Sequence, residues 1–459
     1  MPRFELPITP AAQVRGMVAG MPSGGGGVEL PIFYPASGEQ VSTLIEDSPE
    51  SVAQAVAAAR RAFVSGPWAT LSVEQRQAHL YACRQIILDH ADELARLECA
   101  ATGLLLRELK SRHMERAAYN FKFFAEYIAQ AKGARYDQSA GYLTTVPSEQ
   151  TPLALARLVQ LLQEVLPEGV LNLVNGRGHV TGHALVDQPD VDVISFTGGT
   201  ETGRSIMSVA GAHLTPCTME LGGKSANIIF ASADFDRALD GALLGIFSNN
   251  GQQCLAGSRI LVESSIFDAF VERFVARAQK LKVGDPTATD TELGPLASLP
   301  HMQRVLNFAQ GVAADGGRVL TGGKRREDLG NGYFIEPTAA HAPNTAATVA
   351  QQEIFGPFAT FLKFDNTEQA IAMANDSAYG LVSYVWSDHL PTVTRVSEAM
   401  RSGVVWVNTP MMRELRAPFG GMQASGVGRE GGEACEHFYT EEKTITMPKS
   451  PPPLRALGA

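Results

Sequence analysis

From Thr151 to about Glu430 the sequence alternates between helical and strand-like patterns, and this alternation constrains the fold more than any other feature. Alternation of this kind is typical of a parallel sheet covered by helices. We therefore predict an α/β fold. The predicted helices span 151–165, 179–187 and 202–210, and the predicted strands span 169–174, 191–196, 216–220, 226–230, 258–263, 358–364, 382–386 and 403–407.

The first part of the chain has a different pattern, because helical periodicity dominates from residue 49 to residue 131. A run of four glycines, Gly24 to Gly27, precedes it. Glycine offers no side chain for packing, so we predict that residues 1–30 form a flexible lead-in. The predicted helices span 49–64, 72–90, 91–101 and about 105–131.

Length and composition indicate a globular protein of two or more domains, since 459 residues can bury a large core. A net charge of −10 argues against nucleic acid and anionic membranes as partners, so a small molecule is the expected partner. The N-terminus lacks a charged start followed by an apolar run, and no apolar stretch is long enough to span a bilayer. We therefore predict a cytoplasmic location.

The five cysteines are odd in number, widely spaced and without a Cys-x-x-Cys pair: Cys83, Cys99, Cys217, Cys254 and Cys435. This pattern indicates neither a disulfide framework nor a zinc site, and it fits a reducing compartment. We predict no metal site.

Cys254 ends the stretch Asn249-Asn-Gly-Gln-Gln-Cys254, just past a helical pattern over 235–247. A polar loop suits a nucleophile, because a reactive thiolate needs access and backbone donors or positive charge. The alternative is that a free cysteine is often a small buried residue. A carboxylate 34 residues earlier favours the nucleophile.

That carboxylate, Glu220, lies in Met219-Glu-Leu-Gly-Gly-Lys224, between two strand-like segments. A carboxylate at a strand end, followed by two glycines that let the backbone approach a neighbour closely, is a candidate general base. A surface glutamate beside a turn is the alternative. We predict that Cys254 and Glu220 form the catalytic pair.

Together these two motifs resemble those of the aldehyde dehydrogenase superfamily, and further similar motifs follow in family order from about Tyr34 to Ile445. The resemblance implies a parallel Rossmann-type cofactor domain, an α/β catalytic domain and a small β oligomerisation arm. The further motifs are Phe196-Thr-Gly-Gly-Thr-Glu-Thr-Gly203, Glu353-Ile-Phe-Gly-Pro357, Pro418-Phe-Gly-Gly421 and Ser425-Gly-Val-Gly-Arg-Glu430.

The resemblance also implies the reaction, which is oxidation of an aldehyde to a carboxylic acid with NAD through a thioester on Cys254. Glu220 would activate the water that hydrolyses the thioester. A carboxylate at Glu149 would bind the adenosine ribose and repel a 2'-phosphate, so NAD is favoured over NADP. The implied cofactor-binding residues are Glu149, Gly198, Gly199, Gly203, Leu221, Glu353 and Phe355.

Among subfamilies, the stretch 404–421 looks most like the dehydrogenases of hydroxymuconic semialdehydes, intermediates of aromatic catabolism. Arg413 and Arg416 are predicted to clamp a substrate carboxylate. The alternative is that one or both pair with Glu414 or another surface acid.

Phe121 and Phe124 belong to an aromatic stripe on the last helix before residue 131. The family lines its substrate tunnel with side chains from the matching helix, so we predict that both touch the substrate. Packing in the core is the alternative for any aromatic stripe.

The chain departs from the family after Val146, where Pro147-Ser-Glu follows directly. In the family a strand, a helix and a second strand intervene, and such a unit needs about 30 or more residues. In the family this unit carries an asparagine that donates to the oxyanion and a lysine that holds the adenosine ribose, so both are absent from this chain. We predict an opened cofactor sheet and, as the alternative function, a non-catalytic or defective subunit.

The predicted domain boundaries follow from these motifs. A strand over 438–446 is predicted to pair with another subunit, so we expect a homodimer or homotetramer. The NAD-binding domain comprises 1–134 and 147–222, the catalytic domain 223–436, and the oligomerisation arm and tail 135–146 and 437–459.

Overall fold

The computed structural model describes residues 4–130, 143–145, 148–441, 443–450 and 454–457. Helices and strands alternate through most of these ranges, and the largest sheet has seven strands, so the predicted α/β class is confirmed. No helix in these ranges is long and apolar enough to cross a membrane.

The described part of residues 1–30 forms strands, so the prediction of a flexible lead-in is wrong. Val14 and Met17 are buried. The glycine run supplies conformations that a turn requires, because Gly25 and Gly26 have φ values of +68° and +92°. The strands are β1 (Gln13–Val14), β2 (Met17–Val18), β3 (Met21–Pro22), β4 (Gly26–Tyr34) and β5 (Glu39–Asp47), and β4 pairs antiparallel with β5.

The helices predicted between residues 49 and 131 are confirmed, with ends shifted by a few residues. Ser48 caps the first, and Ser72 with Gln75 forms a capping box at the second. A π-helical segment, Leu109–His113, interrupts the long fourth helix. The helices are α1 (Pro49–Ser65), α2 (Val73–Asp89), α3 (Ala91–Thr102), α4 (Leu106–Glu108) and α5 (Met114–Ile128).

The next elements form two small sheets, although the alternation predicts one parallel cofactor sheet. They are β6 (Leu143–Thr145), α6 (Leu153–Leu162), β7 (Leu171–Leu173), a π-helical turn (Gly178–Gly182), α7 (His183–Val186), β8 (Ile194–Thr197), α8 (Thr200–His213) and β9 (Cys217–Glu220). The first sheet has the order β3-β2-β7-β6. The second contains β8 and β9 in parallel, with a short strand at Gly426–Val427 beyond β9.

The strand β6 lies in the first of these sheets, whereas the sequence assigns residues 135–146 to an oligomerisation arm. β6 pairs parallel with β7. A parallel crossover explains this position, since α6 needs a strand before it from which it returns to β7. The other residues of the predicted arm segment, 135–142 and 146, lie outside the described residues.

β8 pairs with β9 on one side and has no second partner among the described residues. Ser195 and Thr197 are exposed, whereas strands of parallel sheets are usually buried on both faces. An open edge here is what the loss of a strand-helix-strand unit predicts.

The second half of the chain is built on the seven-stranded sheet, of order β12-β13-β14-β11-β10-β16-β17, in which only β12 is antiparallel to its neighbour. Apolar clusters cover both faces, because alternate strand residues such as Ile228 and Ile229 point to opposite sides. All five strands predicted in this half are confirmed. The strands are β10 (Ala226–Ile229), β11 (Arg259–Glu263), β12 (Arg318–Thr321), β13 (Thr338–His341), β14 (Phe358–Phe364), β16 (Val382–Trp386) and β17 (Val404–Val407).

Helices α9 to α14 connect these strands, and a few short strands complete the fold. The helices are α9 (Phe235–Phe247), α10 (Phe267–Ala278), α11 (Leu299–Gly311), α12 (Thr348–Gln351), α13 (Thr367–Asn375) and α14 (Leu390–Ala399). The short strands are β15 (Tyr379–Gly380), β18 (Met422–Gln423) and β19 (Gly426–Val427).

The predicted strand over 438–446 is wrong for the single chain. Phe438 and Tyr439 end a helix, α15 (Gly432–Tyr439), and the described residues after it form no strand. A strand is stable only when a neighbour pairs with it, and no described segment of this chain does so here.

Candidate active site

Cys254 follows a tight turn that ends helix α9. The turn Ser248–Gly251 contains two left-handed residues, Asn249 and Asn250, with φ values of +52° and +57°. Asn250 fixes it from inside, because its Nδ2 donates to the Gly103 carbonyl at 3.1 Å. Cys254 is half-buried. Its predicted position, in a loop just past a helix end, is confirmed.

The Cys254 thiol packs against an apolar cluster, and the charges of two carboxylates act on it. Burial, followed by the charges of Glu353 and Glu220, raises the pKa of this thiol to about 11, against the opposite effect of Arg413. The thiol is therefore protonated at neutral pH, so a base has to activate it. These electrostatic effects indicate that Glu220, Glu353 and Arg413 lie near Cys254 and form one site with it.

Glu220 ends strand β9 and has the environment of a general base. The residue is only 5% exposed, and neither carboxylate oxygen forms a hydrogen bond of good geometry with a described residue. Burial, followed by the charge of Glu430, raises the pKa of Glu220 to about 7, against the effects of Arg413 and Arg429. A carboxyl group with a pKa near 7 can accept a proton at physiological pH.

Glu430 is a site residue that the sequence analysis missed. It is half-buried, and burial raises the pKa of its carboxyl while Arg413 lowers it. Its backbone bridges to Phe419, with both N–H···O distances at 2.7 Å, and this bridge holds two motif segments together. The sequence does contain a signal, because Glu430 ends the Ser-Gly-Val-Gly-Arg-Glu motif.

Glu353 and Phe355 lie on a turn that faces the Cys254 loop. Glu353 Oε1 accepts a hydrogen bond from the Gly223 amide at 2.9 Å. A Cβ on Gly222 would lie 2.3 Å from Glu353 Oε2, so a larger residue there would displace this carboxylate. Phe355 has φ +60° and is 37% exposed. A residue other than glycine in this conformation costs about 1–3 kcal/mol, a strain that is found mostly at functional sites.

The glycine-rich turn before α8 provides an open helix N-terminus. Gly198 and Gly199 are exposed, and Gly199 is the N-cap residue, so no side chain of the N-cap bonds the first amides of α8, while the Gly198 amide donates to the Glu220 carbonyl oxygen at 3.0 Å. Gly203, one turn into the helix, lies against Leu221, because a Cβ on it would be 2.5 Å from the Leu221 Cδ2 atom. Exposed amides at a helix N-terminus suit a pyrophosphate.

Glu149 lies in the turn between β6 and α6 and is half-buried. The guanidinium of Arg177 binds Glu46, and this bond, followed by the charges of Glu46 and Glu149, raises the pKa of Arg177. The structure therefore places Glu149 near Arg177 and Glu46, and the contacts of the described residues connect it to neither Cys254 nor Glu220.

The two predicted substrate arginines have different surroundings. Arg413 places its guanidinium 3.7 Å above the Phe419 ring centre, and its charge acts on Cys254. Arg416 is exposed and pairs with Glu414 through Nη2 and Oε2 at 2.9 Å, which is the alternative role considered for it. Arg116, on α5, is a second arginine that the sequence analysis missed. Burial and the positive charge of Arg116 lower the pKa of Arg413.

The aromatic residues of α5 are mainly packing residues. Phe121 packs against the apolar cluster beside β7, the alternative considered for it. Phe124 is half-buried and contacts the Phe123 ring, with ring centres 5.1 Å apart. Among the residues that the structure describes, no group of three or more His, Cys, Asp or Glu is arranged to hold a metal ion.

A half-buried thiol near a carboxyl group with a raised pKa, together with an open helix N-terminus in an α/β fold, is suited to nucleophilic catalysis beside a bound cofactor. The chain belongs to the aldehyde dehydrogenase family, whose sequence model matches residues 23–146 and 144–445. The two matched segments meet at the position of the predicted missing unit. Family, fold class and enzyme class are thus confirmed as the sequence analysis has them.

Named relatives extend this comparison. The 5-carboxymethyl-2-hydroxymuconate semialdehyde dehydrogenase of Escherichia coli is 38% identical over 442 residues, which cover 87% of this chain and 93% of that protein. The crystal structure of HpcC from Thermus thermophilus has a TM-score of 0.94 at 35% identity, covering 98% of this chain and 96% of that one. Betaine aldehyde dehydrogenase from Staphylococcus aureus, in complex with NAD+, has a TM-score of 0.89 at 35% identity, covering 93% of each chain.

Proposed function

We propose that this chain oxidises an aldehyde to a carboxylic acid with NAD through a thioester on Cys254. The observation that carries the proposal is the half-buried Cys254 thiol beside Glu220, a buried carboxyl group with a pKa of about 7. NAD is the cofactor, as the sequence predicts, in keeping with the family and with its NAD+ complexes. NAD-dependent aldehyde oxidation by the purified, folded chain is the direct test.

In the first step Cys254 Sγ loses its proton to a base other than Glu220, for which the Glu353 carboxylate is the candidate because its charge acts on the thiol, and attacks the aldehyde carbonyl carbon. The Cys254 backbone N–H donates to the oxygen that becomes negatively charged. A bound NAD would supply the hydride acceptor, and loss of the hydride from that carbon would leave an acyl thioester on Cys254. Glu220 then removes a proton from water, whose oxygen attacks the thioester and releases the carboxylic acid and the thiol.

The residues for the cofactor divide into two groups. Gly198 and Gly199 would leave the start of α8 open to the pyrophosphate, with the Gly199 amide as the donor because the Gly198 amide already donates to the Glu220 carbonyl oxygen, and Gly203 lets Leu221 approach closely. Glu149 would bind the adenosine ribose hydroxyls. Glu353 and Phe355, beside the Cys254 loop, would position the nicotinamide ribose and ring.

For the substrate, we propose a semialdehyde that carries a carboxylate, and Arg413 with Arg116 as its binding residues. Two guanidinium groups close to each other repel, and an anion between them relieves the repulsion. Arg413 is stacked on Phe419 with its charge in reach of the thiol, so a carboxylate on it places the aldehyde end toward Cys254. The similarity to a hydroxymuconate semialdehyde dehydrogenase supports this substrate class.

Replacement of Arg413 by methionine should lower kcat/KM for succinic semialdehyde by about tenfold to a hundredfold relative to butanal, because a charge-assisted hydrogen bond is lost. Because both aldehydes react with the same thiol, the ratio of their two kcat/KM values cancels any effect of the substitution on the thiol itself. Arg416→Met is the matched control from the same loop, and its ratio should not change. An equal effect of the two variants would contradict the assignment.

Replacement of Glu220 by glutamine should allow one burst of NADH and then stall the steady state, because acylation is possible and hydrolysis is slow. Mass spectrometry should find the acyl group on Cys254. In the parent chain, turnover limited by hydrolysis should rise as pH increases through about 7, because the folded-state pKa of Glu220 is about 7 and the deprotonated form is active. A parent profile that is flat from pH 6 to 8, or equal loss of burst and steady state in the variant, would remove Glu220 from this role.

A non-catalytic or defective subunit is the second candidate function, and the division of the cofactor part into two sheets favours it.

The homo-oligomer also stays a prediction. Apolar side chains on the tail are consistent with an interface, since Ile445 is 71% exposed and Met447 84%. The cytoplasmic location and the domain boundaries stay predictions as well.

A further inference from the structure

Two side chains of helix α11 hold the turn that carries Glu353 and Phe355. His301 Nε2 donates to the Phe355 carbonyl oxygen at 2.6 Å, and Arg304 Nη2 donates to the Glu353 carbonyl oxygen at 2.8 Å. Residues three apart lie on one face of a helix, so both donors point at the same turn. The His301 ring also packs on the Phe355 ring, with centres 6.0 Å apart.

We propose that His301 and Arg304 are positioning residues, which hold this turn so that it presents the Glu353 carboxylate and the Phe355 ring to the nicotinamide half of NAD. The identity of the ligand rests on the proposed function. Phe355 at φ +60° has a conformation that only surrounding contacts can maintain. The two hydrogen bonds are such contacts, because they fix the carbonyl of the strained residue and that of Glu353 two positions before it.

The same helix supports the Cys254 loop. Ser298 Oγ caps α11 by accepting from the His301 amide at 3.4 Å, and the preceding Ala297 amide donates to Gln252 Oε1 at 3.0 Å. Gly251 touches the turn directly, because a Cβ on it would lie 2.2 Å from the Gly356 carbonyl carbon. The start of α11 therefore sets the distance between the thiol loop and the Glu353 turn.

The chemistry of His301 identifies a conservative replacement. Burial lowers the pKa of His301, so the imidazole is neutral at pH 7 and must carry its proton on Nε2 to donate to a carbonyl. A glutamine amide can also donate from a side chain of similar reach, whereas alanine cannot. Arg304→Met removes the other donor and keeps an extended side chain.

The experiment compares His301→Ala, Arg304→Met, the double variant and His301→Gln with the parent chain. The NAD dissociation constant and the KM for NAD should rise about tenfold for each lost donor, and more in the double variant. Hydrolysis of p-nitrophenyl acetate, which uses Cys254 without cofactor, should stay within about twofold of the parent. His301→Gln should bind NAD nearly as the parent does.

Hydrogen exchange of peptide 352–357 without NAD measures the anchoring itself, and it should be faster in the double variant. Unchanged exchange, or unchanged NAD affinity in a folded double variant, overturns the inference. A parallel loss of ester hydrolysis also overturns it, because that outcome indicates a general structural role. A parent chain that binds NAD without oxidising any aldehyde counts against the proposed function alone.

Discussion

Cys254→Ala should abolish aldehyde oxidation and ester hydrolysis together, by about four orders of magnitude or more. Cys254 carries the thiol on which the charges of Glu220 and Glu353 act, and once a covalent nucleophile is lost only binding and oxyanion contacts remain. NADH production and p-nitrophenyl acetate hydrolysis measure the two activities. Retention of either one would show that the thioester mechanism is wrong.

Cys217→Ala and Cys435→Ala are the matched controls, since both thiols are also half-buried. Cys217 lies at the start of β9, and the Cys435 thiol accepts from the Gly431 amide at 3.1 Å; the charge of Glu220 raises the pKa of Cys254 but is not among the causes that raise the pKa of Cys217 or Cys435. Both variants should keep parental activity. Their circular dichroism and unfolding midpoints, compared with those of Cys254→Ala, separate a chemical loss from a folding defect.

Alkylation gives an independent reading of the same thiol. The sequence predicts that Cys254 is labelled ahead of the other four cysteines near neutral pH. Burial raises the pKa of Cys83 and Cys99 to about 12, above the value of about 11 for Cys254, and it also raises the pKa of Cys217 and Cys435, so the polar loop around Cys254 is the main reason for its expected priority over those two. Labelling of Cys254 should therefore accelerate as pH rises, because only the thiolate reacts.

The local sequence pattern predicts the strands of the second half correctly. Buried parallel strands are short apolar runs, and such runs can be recognised directly in the sequence. The positions of Cys254 and Glu220 were also predictable, since each lies at the end of an element. Arg116, Glu430 and His301 were not, because their roles depend on contacts with segments distant in sequence. The pairing of Arg416 with Glu414 likewise depends on how one loop folds.

The failures have a physical pattern of their own. The glycines at 24–27 looked flexible, yet positive φ values at Gly25 and Gly26 make them part of a defined turn. The 438–446 segment has the composition of a strand, but a strand forms only where a neighbour pairs with it. Composition alone gives neither the turn conformation nor the presence of a partner.

Insertion of a family-type strand-helix-strand segment between Val146 and Pro147 should raise NAD-dependent oxidation by about two to three orders of magnitude. Loss of a single oxyanion donor commonly lowers the rate by this factor, and the inserted segment restores both an asparagine donor and a ribose-binding lysine. It should also supply the partner that the open edge of β8 lacks among the described residues.

Ester hydrolysis is the internal reference for this experiment, because it needs no cofactor while it uses the same thiol and base. Cys254 and Glu220 lie outside the gap, so hydrolysis should change much less than NAD reduction. An insert with alanine in place of the asparagine separates the oxyanion effect from repair of the sheet: it should restore NAD affinity without the full rate. Efficient NAD reduction by the chain without the insert would contradict this reasoning, and would mean that other residues have taken over the oxyanion and ribose contacts.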